Sequence, residues 1–207
     1  MLTFYYSPNA CSLASHIALE EAGAAYEPRR VDFGAGQQKS ADYMALNPKA
    51  RVPALVTSRG VLTETPAILV FIAQSFPEAR LAPLDDAFAL AEMQAFNSYL
   101  CSTVHVAHAH KVRGTRWADE ESSFADMRRK VPETMSACAE LLETHLLKGP
   151  WVMGEAFTVA DPYLFTIVQW MKGDGVDLAA FPRLSAHRAN MAERPSVKKI
   201  LARESAA

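Results

Sequence analysis

The chain opens on a short, apolar, β-rich run, Leu2-Thr3-Phe4-Tyr5-Tyr6. Ser7-Pro8-Asn9 ends it, because proline fixes φ and removes a backbone donor. The pattern then turns helical. Leu13, Ile17 and either Ala14 or Ala18 fall on one face, and Gly23 suits a C-cap. Ser12 is the expected N-cap, which places Cys11 in the strand-to-helix turn. Residues 26–33 read as a second strand, 34–39 as a loop and 40–46 as a short helix. Residues 52–56 form a strand with proline near its start, and Arg59-Gly60 turns the chain back through Val61-Leu62 as a hairpin. Pro66 suits the first position of a helix, with Thr65 as its cap and Ile68, Leu69 and Ile72 as its apolar face. The order β-α-β-α-β-β-α predicts a small mixed sheet with helices around it.

Beyond Leu84 the two-residue alternation disappears. Residues 87–113 carry Leu90, Met93, Phe96, Leu100 and Val104 at helical spacing. Residues 122–147 repeat the pattern, with Pro132 predicting a kink or a break. Residues 158–171 are apolar nearly all round, so this helix belongs at the centre. Thr158-x-x-Asp161 has capping-box spacing, with Asp in place of the usual Glu. Residues 181–191 and 196–202 complete an all-helical second half. The fold class is therefore α/β followed by all-α.

Composition narrows the function. The 207 residues carry 21 basic and 23 acidic groups, for a net charge of −2, spread evenly along the chain. That excludes a generic nucleic-acid binder. No run of 18 apolar residues exists for a membrane span, and no basic n-region precedes an apolar run, so a cytoplasmic protein is expected. The 3 cysteines, Cys11, Cys101 and Cys138, stand far apart without a CxxC pair, which suits free thiols in a reducing compartment.

Several residues carry potential chemistry. A thiol at Cys11 faces the unpaired N–H groups and positive end of a helix, which lowers a thiol pKa, although a small buried cysteine is the plain alternative. Ser12, Tyr5 and Tyr6 are neighbouring hydroxyl donors, with the tyrosines on opposite sheet faces. Glu64-Thr65 at a helix start suits a ligand's ammonium and carboxylate, or is simply a cap. Val52-Pro53 offers a strand edge to an extended peptide. His105 and His108 share a helix face and His110 does not, and no histidine belongs to a metal-ligand set, so no metal site is expected. His16 and His145 read as structural. Gly34-Ala35-Gly36 lacks the spacing of a phosphate loop.

Taken together, Tyr5 and the runs NACSLASHIALEEAG (9–23), NPKARVPAL (47–55), LTETPAI (62–68) and FTVADPYLF (157–165) identify a chain that resembles the glutathione transferase superfamily, most closely its bacterial beta class. The resemblance spans essentially the whole chain. It implies a thioredoxin-like glutathione-binding domain at 1–77, a helical domain carrying the second-substrate site at 86–207, and a homodimer. It implies that Cys11 lies beside the glutathione sulfur, with His105 reaching the same region from the helical half. Tyr5 and Ser12 are further candidates for holding the thiolate. Val52 would pair with the cysteinyl part of glutathione, followed by a cis Pro53. Glu64 and Thr65 would hold the γ-glutamyl end, and Gln37, Gln38 or Lys39 the glycyl carboxylate. Ser98 stands where the family has an asparagine, with Asn97 adjacent. Thr158 and Asp161 match a folding cap. The implied activity is conjugation of the glutathione thiolate to a small apolar electrophile. Aromatic, Met and His side chains of the first long helix, with Trp170-Met171, would line its site. The alternatives are glutathione-dependent thiol-disulfide exchange through Cys11, a non-catalytic ligand-binding dimer, or a specialised reaction such as dehalogenation, ether cleavage or isomerisation.

Overall fold

The computed structural model describes residues 1–206. Strands β1 (Leu2–Tyr6), β2 (Tyr26–Arg30), β3 (Ala54–Thr57) and β4 (Gly60–Thr63) form one sheet in the order β2-β1-β3-β4. β1 runs parallel to β2 and antiparallel to β3, and β3 pairs with β4 as the expected hairpin. Helices α1 (Ser12–Glu21), α2 (Ala41–Leu46) and α3 (Thr65–Ser75) alternate with the strands as predicted. Alternation along β1 divides its side chains. Phe4 and Tyr6 enter the main core beside Leu55 and Leu69, while Tyr5 joins a small cluster with Val31, Tyr43 and Val52.

Local signals explain most element ends. After α1 the chain enters the left-handed region at Gly23, φ 62°, where glycine pays no Cβ penalty. The Gly23 N–H then donates to Glu20 and the Ala24 N–H to Leu19, closing the helix as a Schellman motif. Three expectations need correction. β2 stops at Arg30 rather than Phe33, because Asp32 turns its carboxylate onto the N–H groups of Gly34 and Ala35 and starts a turn. Ser12 is not the N-cap of α1. It is the first helical residue, and its Oγ both donates to and accepts from the Ser7 backbone at 3.2 Å. Thr65 likewise begins α3, and Glu64 is the cap, in the left-handed region at φ 74°.

Beyond Leu84 the described residues form helices joined by turns, with no strand beyond an isolated bridge between Trp151 and Gly154. α4 (Ala87–Tyr99) passes through a wide π-type turn at Leu100–Val104 into α5 (His105–Ala109). α6 (Glu121–Leu141) runs through Pro132 unbroken. α7 (Ala160–Met171), α8 (Pro182–Glu193) and α9 (Pro195–Ser205) follow. α7 is the central helix, as its all-round apolarity predicts, with Tyr163, Leu164, Phe165, Ile167 and Val168 all buried. It packs on α1 and α4, so one continuous core runs from Phe4 in the sheet to Val168 and Met171. Between the halves, Leu81 is buried and its carbonyl accepts from the Val159 N–H at 2.8 Å.

The Thr158-Asp161 pair forms one half of the expected capping box, and α7 begins at Ala160 rather than Thr158. Asp161 accepts from the Thr158 N–H at 2.7 Å, and Thr158 Oγ1 accepts from the Ala160 N–H at 3.3 Å. Asp161 also holds the Val152 N–H at 2.7 Å and lies 3.0 Å from His187 Nε2. His16 is structural as well. It is enclosed by Phe4, Tyr6 and Tyr26, and its Nδ1 lies 2.7 Å from Glu204, which ties α1 to α9. Among the described residues no helix is long and apolar enough to cross a membrane.

Candidate active site

Two adjoining hollows of about 280 and 500 Å³ lie between the sheet half and the helical half. Cys11, Arg51, Val52, His105, Ala109 and Arg116 line both. Their combined size suits a small peptide with a second small molecule beside it.

The sheet half supplies three segments. The turn after β1 presents Cys11 at the start of α1. The chain entering β3 presents Val52 and Pro53, whose peptide bond is cis. The start of α3 presents Glu64 and Thr65. These surround the smaller hollow. Gln38 and Lys39, on a short turn before α2, line the larger one. The helical half answers with His105, placed directly after the wide turn that ends α4. Such turns shift the helical register and recur at functional positions.

Cys11 does not behave as the helix-start argument predicts. Burial pushes its thiol up to about 11, against a smaller opposing contribution from Thr65 hydrogen bonding. Its Sγ donates to the Val52 carbonyl at 3.3 Å. Desolvation therefore exceeds the helix dipole, and Cys11 is a thiol at neutral pH. Alkylation of Cys11 by iodoacetamide at neutral pH is expected to be about a hundredfold slower than that of an unhindered cysteine. Mass mapping over time would measure this, and rapid modification at Cys11 would contradict the burial argument.

Burial also lowers the pKa of His105 to about 4, assisted by His108, Arg116 and Arg51. It is therefore a neutral imidazole, able to donate one N–H and accept at the other nitrogen. Its ring lies 5.0 Å from that of Trp170, and His108 stacks on the same indole at 4.4 Å. His108 is held in place by Asp174, 2.6 Å from its Nδ1. His110 points elsewhere and stacks on Trp117 at 4.2 Å, as the helical spacing predicts. Among the described residues no cluster of His, Cys, Asp or Glu is placed to hold a metal.

Glu64 is half exposed and paired with Lys49, whereas Thr65 is buried. The two present an anion and a helix start side by side.

Several candidates fall outside both hollows, Tyr6 among them as a residue of the main core. Tyr5 packs its ring edge-on against Tyr43 at 5.7 Å, on a sheet face covered by α2. The hydroxyl of Ser12 is consumed by Ser7. Ser98 is exposed, its carbonyl accepting from Ser102, while Asn97 turns into the interior. Met93 and Met171, read as lining, are fully buried core residues, and only Trp170 of the Trp170-Met171 pair reaches the cleft. Conversely, Arg51, Arg113, Arg116, Cys101 and Tyr163 line it and were not singled out by sequence. The NPKARVPAL run already held Arg51, but Arg113 and Arg116 sit in a turn without a motif.

This geometry has known counterparts. The glutathione S-transferase N-terminal domain family matches residues 1–74, and the corresponding C-terminal domain family matches residues 108–204. Glutathione S-transferase GstA of Escherichia coli is 32% identical over 207 residues, covering 98% of each chain. A glutathione transferase homologue from Sulfitobacter, solved with bound glutathione, is 50% identical, superposes with a TM-score of 0.95 and covers 98% of each chain. The bacterial beta-class glutathione S-transferase of Sphingomonas chungbukensis is 34% identical with a TM-score of 0.86, over 99% of this chain and 100% of that one. Fold, cleft and sequence agree that the chain belongs to the glutathione S-transferase superfamily, where it closely resembles the bacterial beta class.

Proposed function

We propose that the cleft binds glutathione and that the protein conjugates the glutathione thiolate to small electrophiles. The observation that carries this reading is the convergence of Cys11, Val52-Pro53, Glu64-Thr65 and His105 on one cleft, in a chain 50% identical to a homologue solved with glutathione. Glu64 receives the γ-glutamyl ammonium, and Thr65 with the first N–H groups of α3 receives its carboxylate. The backbone at Val52 pairs with the cysteinyl unit. Lys39 or Gln38 takes the glycyl carboxylate.

The thiol then lies near Cys11 and His105. A cysteine thiol titrates at about 8.5 when free, so only a few per cent is thiolate at neutral pH. Each pKa unit of depression corresponds to about 1.4 kcal/mol of preferential thiolate stabilisation. The start of α1 and the His105 N–H supply it. Val106, Ala109, Val112 and the Trp170 ring give the second substrate an apolar floor.

The reading brings with it a cytoplasmic homodimer and a division into 1–77 and 86–207. All four strands precede Pro77, and the Asp86 cap opens the helical half, which supports that division. Conjugation of reduced glutathione to chlorodinitrobenzene, measured against the uncatalysed rate, tests the activity. Rate enhancement supports it. Glutathione binding without turnover of any electrophile would contradict it in favour of a ligand carrier.

A further inference from the structure

The larger hollow is lined by Lys39, Lys49, Arg51, Arg113 and Arg116, and by no acidic residue. Arg51, Arg113 and Arg116 have no carboxylate partner among the described residues, and the three converge on one hollow. They lie close enough that Arg51 and Arg113 depress the pKa of Arg116, after burial as the main cause. The backbone that carries Arg113 and Arg116 is seated in the fold. Gly114, between them, has Phe124 packed where a Cβ would stand, 2.6 Å away, which seats the Gly114–Arg116 turn against α6. All three arginines are exposed, so solvent ions screen them, and an anionic ligand that settles among them gains charge-assisted hydrogen bonds.

Glutathione does not use this charge up. Lys49 pairs with Glu64, and in the proposed pose both lie at the γ-glutamyl end, away from Arg113 and Arg116. In the proposed pose the glycyl carboxylate goes to Lys39 or Gln38 and the thiolate to the start of α1 and His105. Arg113 and Arg116 remain in excess, next to an apolar floor and the Trp170 ring. Trp117, next to Arg116 in the chain, lines the smaller hollow.

We infer that the second substrate is a planar, unsaturated electrophile bearing a carboxylate, which Arg113 and Arg116 bind while its ring or conjugated chain lies on the apolar floor. The inference rests on the transferase reading and narrows its substrate class. It replaces the purely apolar electrophile expected from sequence.

Chlorodinitrobenzene and chlorodinitrobenzoate test it, since both react by the same displacement. The thiol loses its proton to solvent, the sulfur–carbon bond forms, the carbon–chlorine bond breaks, and chloride leaves with the electron pair. The kcat/KM of the full chain for each electrophile, at saturating glutathione, is divided by that electrophile's uncatalysed rate. The expected result is a larger enhancement for the benzoate, falling with added salt. In Arg116→Gln and Arg113→Gln the benzoate's kcat/KM should fall at least about tenfold more than the neutral compound's. Arg116→Lys, which keeps the charge without the fork, should recover part of the loss. Turnover of both compounds without charge discrimination, or equal losses in the variants, overturns this inference and leaves the transferase reading standing. Turnover of neither overturns the transferase reading itself, and the inference with it.

Discussion

Replacing Asp161 by alanine is expected to cost about 3–5 kcal/mol of folding stability. The carboxylate is fully buried and serves the Val152 N–H, the Thr158 N–H and the His187 ring together. Its removal strands these groups in a dry interior, where each unsatisfied donor costs about 1–3 kcal/mol. The damage reaches beyond one cap. The Val152 bond holds the loop before α7, and His187 brings in α8. Asp161→Asn keeps one acceptor oxygen and should lose less than half as much. Urea unfolding reads both variants, and a midpoint near that of the parent for Asp161→Ala would contradict the role.

The second large effect is on catalysis. His105→Ala is expected to lower kcat/KM for conjugation about a hundredfold, the usual loss for one donor to a developing or resident anion. His105→Gln, with an amide donor of similar reach, should recover part of it. A structural role would not explain that recovery. The pH behaviour separates them further. In the unfolded chain this histidine takes up its proton near 6.5, in the folded chain only near 4. Between those values the unfolded chain binds a proton that the folded chain refuses. The stability contribution of the neutral imidazole is thus complete above about 6.5, falls as pH drops through the window, and is gone below about 4. The whole shift corresponds to about 3 kcal/mol, which His105→Gln should remove from the acid-induced loss. The kcat/KM profile should accordingly show no histidine inflection near neutrality. An inflection lost in His105→Gln would contradict the assignment.

Much of this was legible in the sequence because local signals and tertiary needs agree. Pro8 must end a strand, Gly23 must supply a positive φ, and the Thr158-x-x-Asp161 spacing brings the Asp161 carboxylate onto the Thr158 N–H just before α7. Cys11, Val52, Glu64 and Thr65 stand at strand and helix ends, and those ends point into one cleft. His105 is different. Periodicity places it on a helix face, but only the resemblance says which face meets the cleft.

The failures also have physical causes. Ser12 is a residue type that favours caps, yet the turn from Ser7 to Asn9 brings a nearer backbone partner to its hydroxyl. Alternation puts Tyr5 opposite Tyr6 but cannot say that α2 covers the Tyr5 face. The arginine cluster is assembled from Arg51 and from a turn more than sixty residues later. Evenly spread charge in the sequence says nothing about convergence in space. Cys11 shows a conflict of magnitudes: the helix start lowers its pKa and burial raises it, and only the packed structure shows that burial is larger.

The most direct test of the account is the titration of the bound glutathione thiol. Calorimetry establishes saturation of the fully reduced protein, and thiolate absorbance is then followed against pH. The account predicts one glutathione per chain, with its thiol at least one pKa unit below the free value. Absence of binding, or a bound thiol that titrates like the free tripeptide, would contradict it.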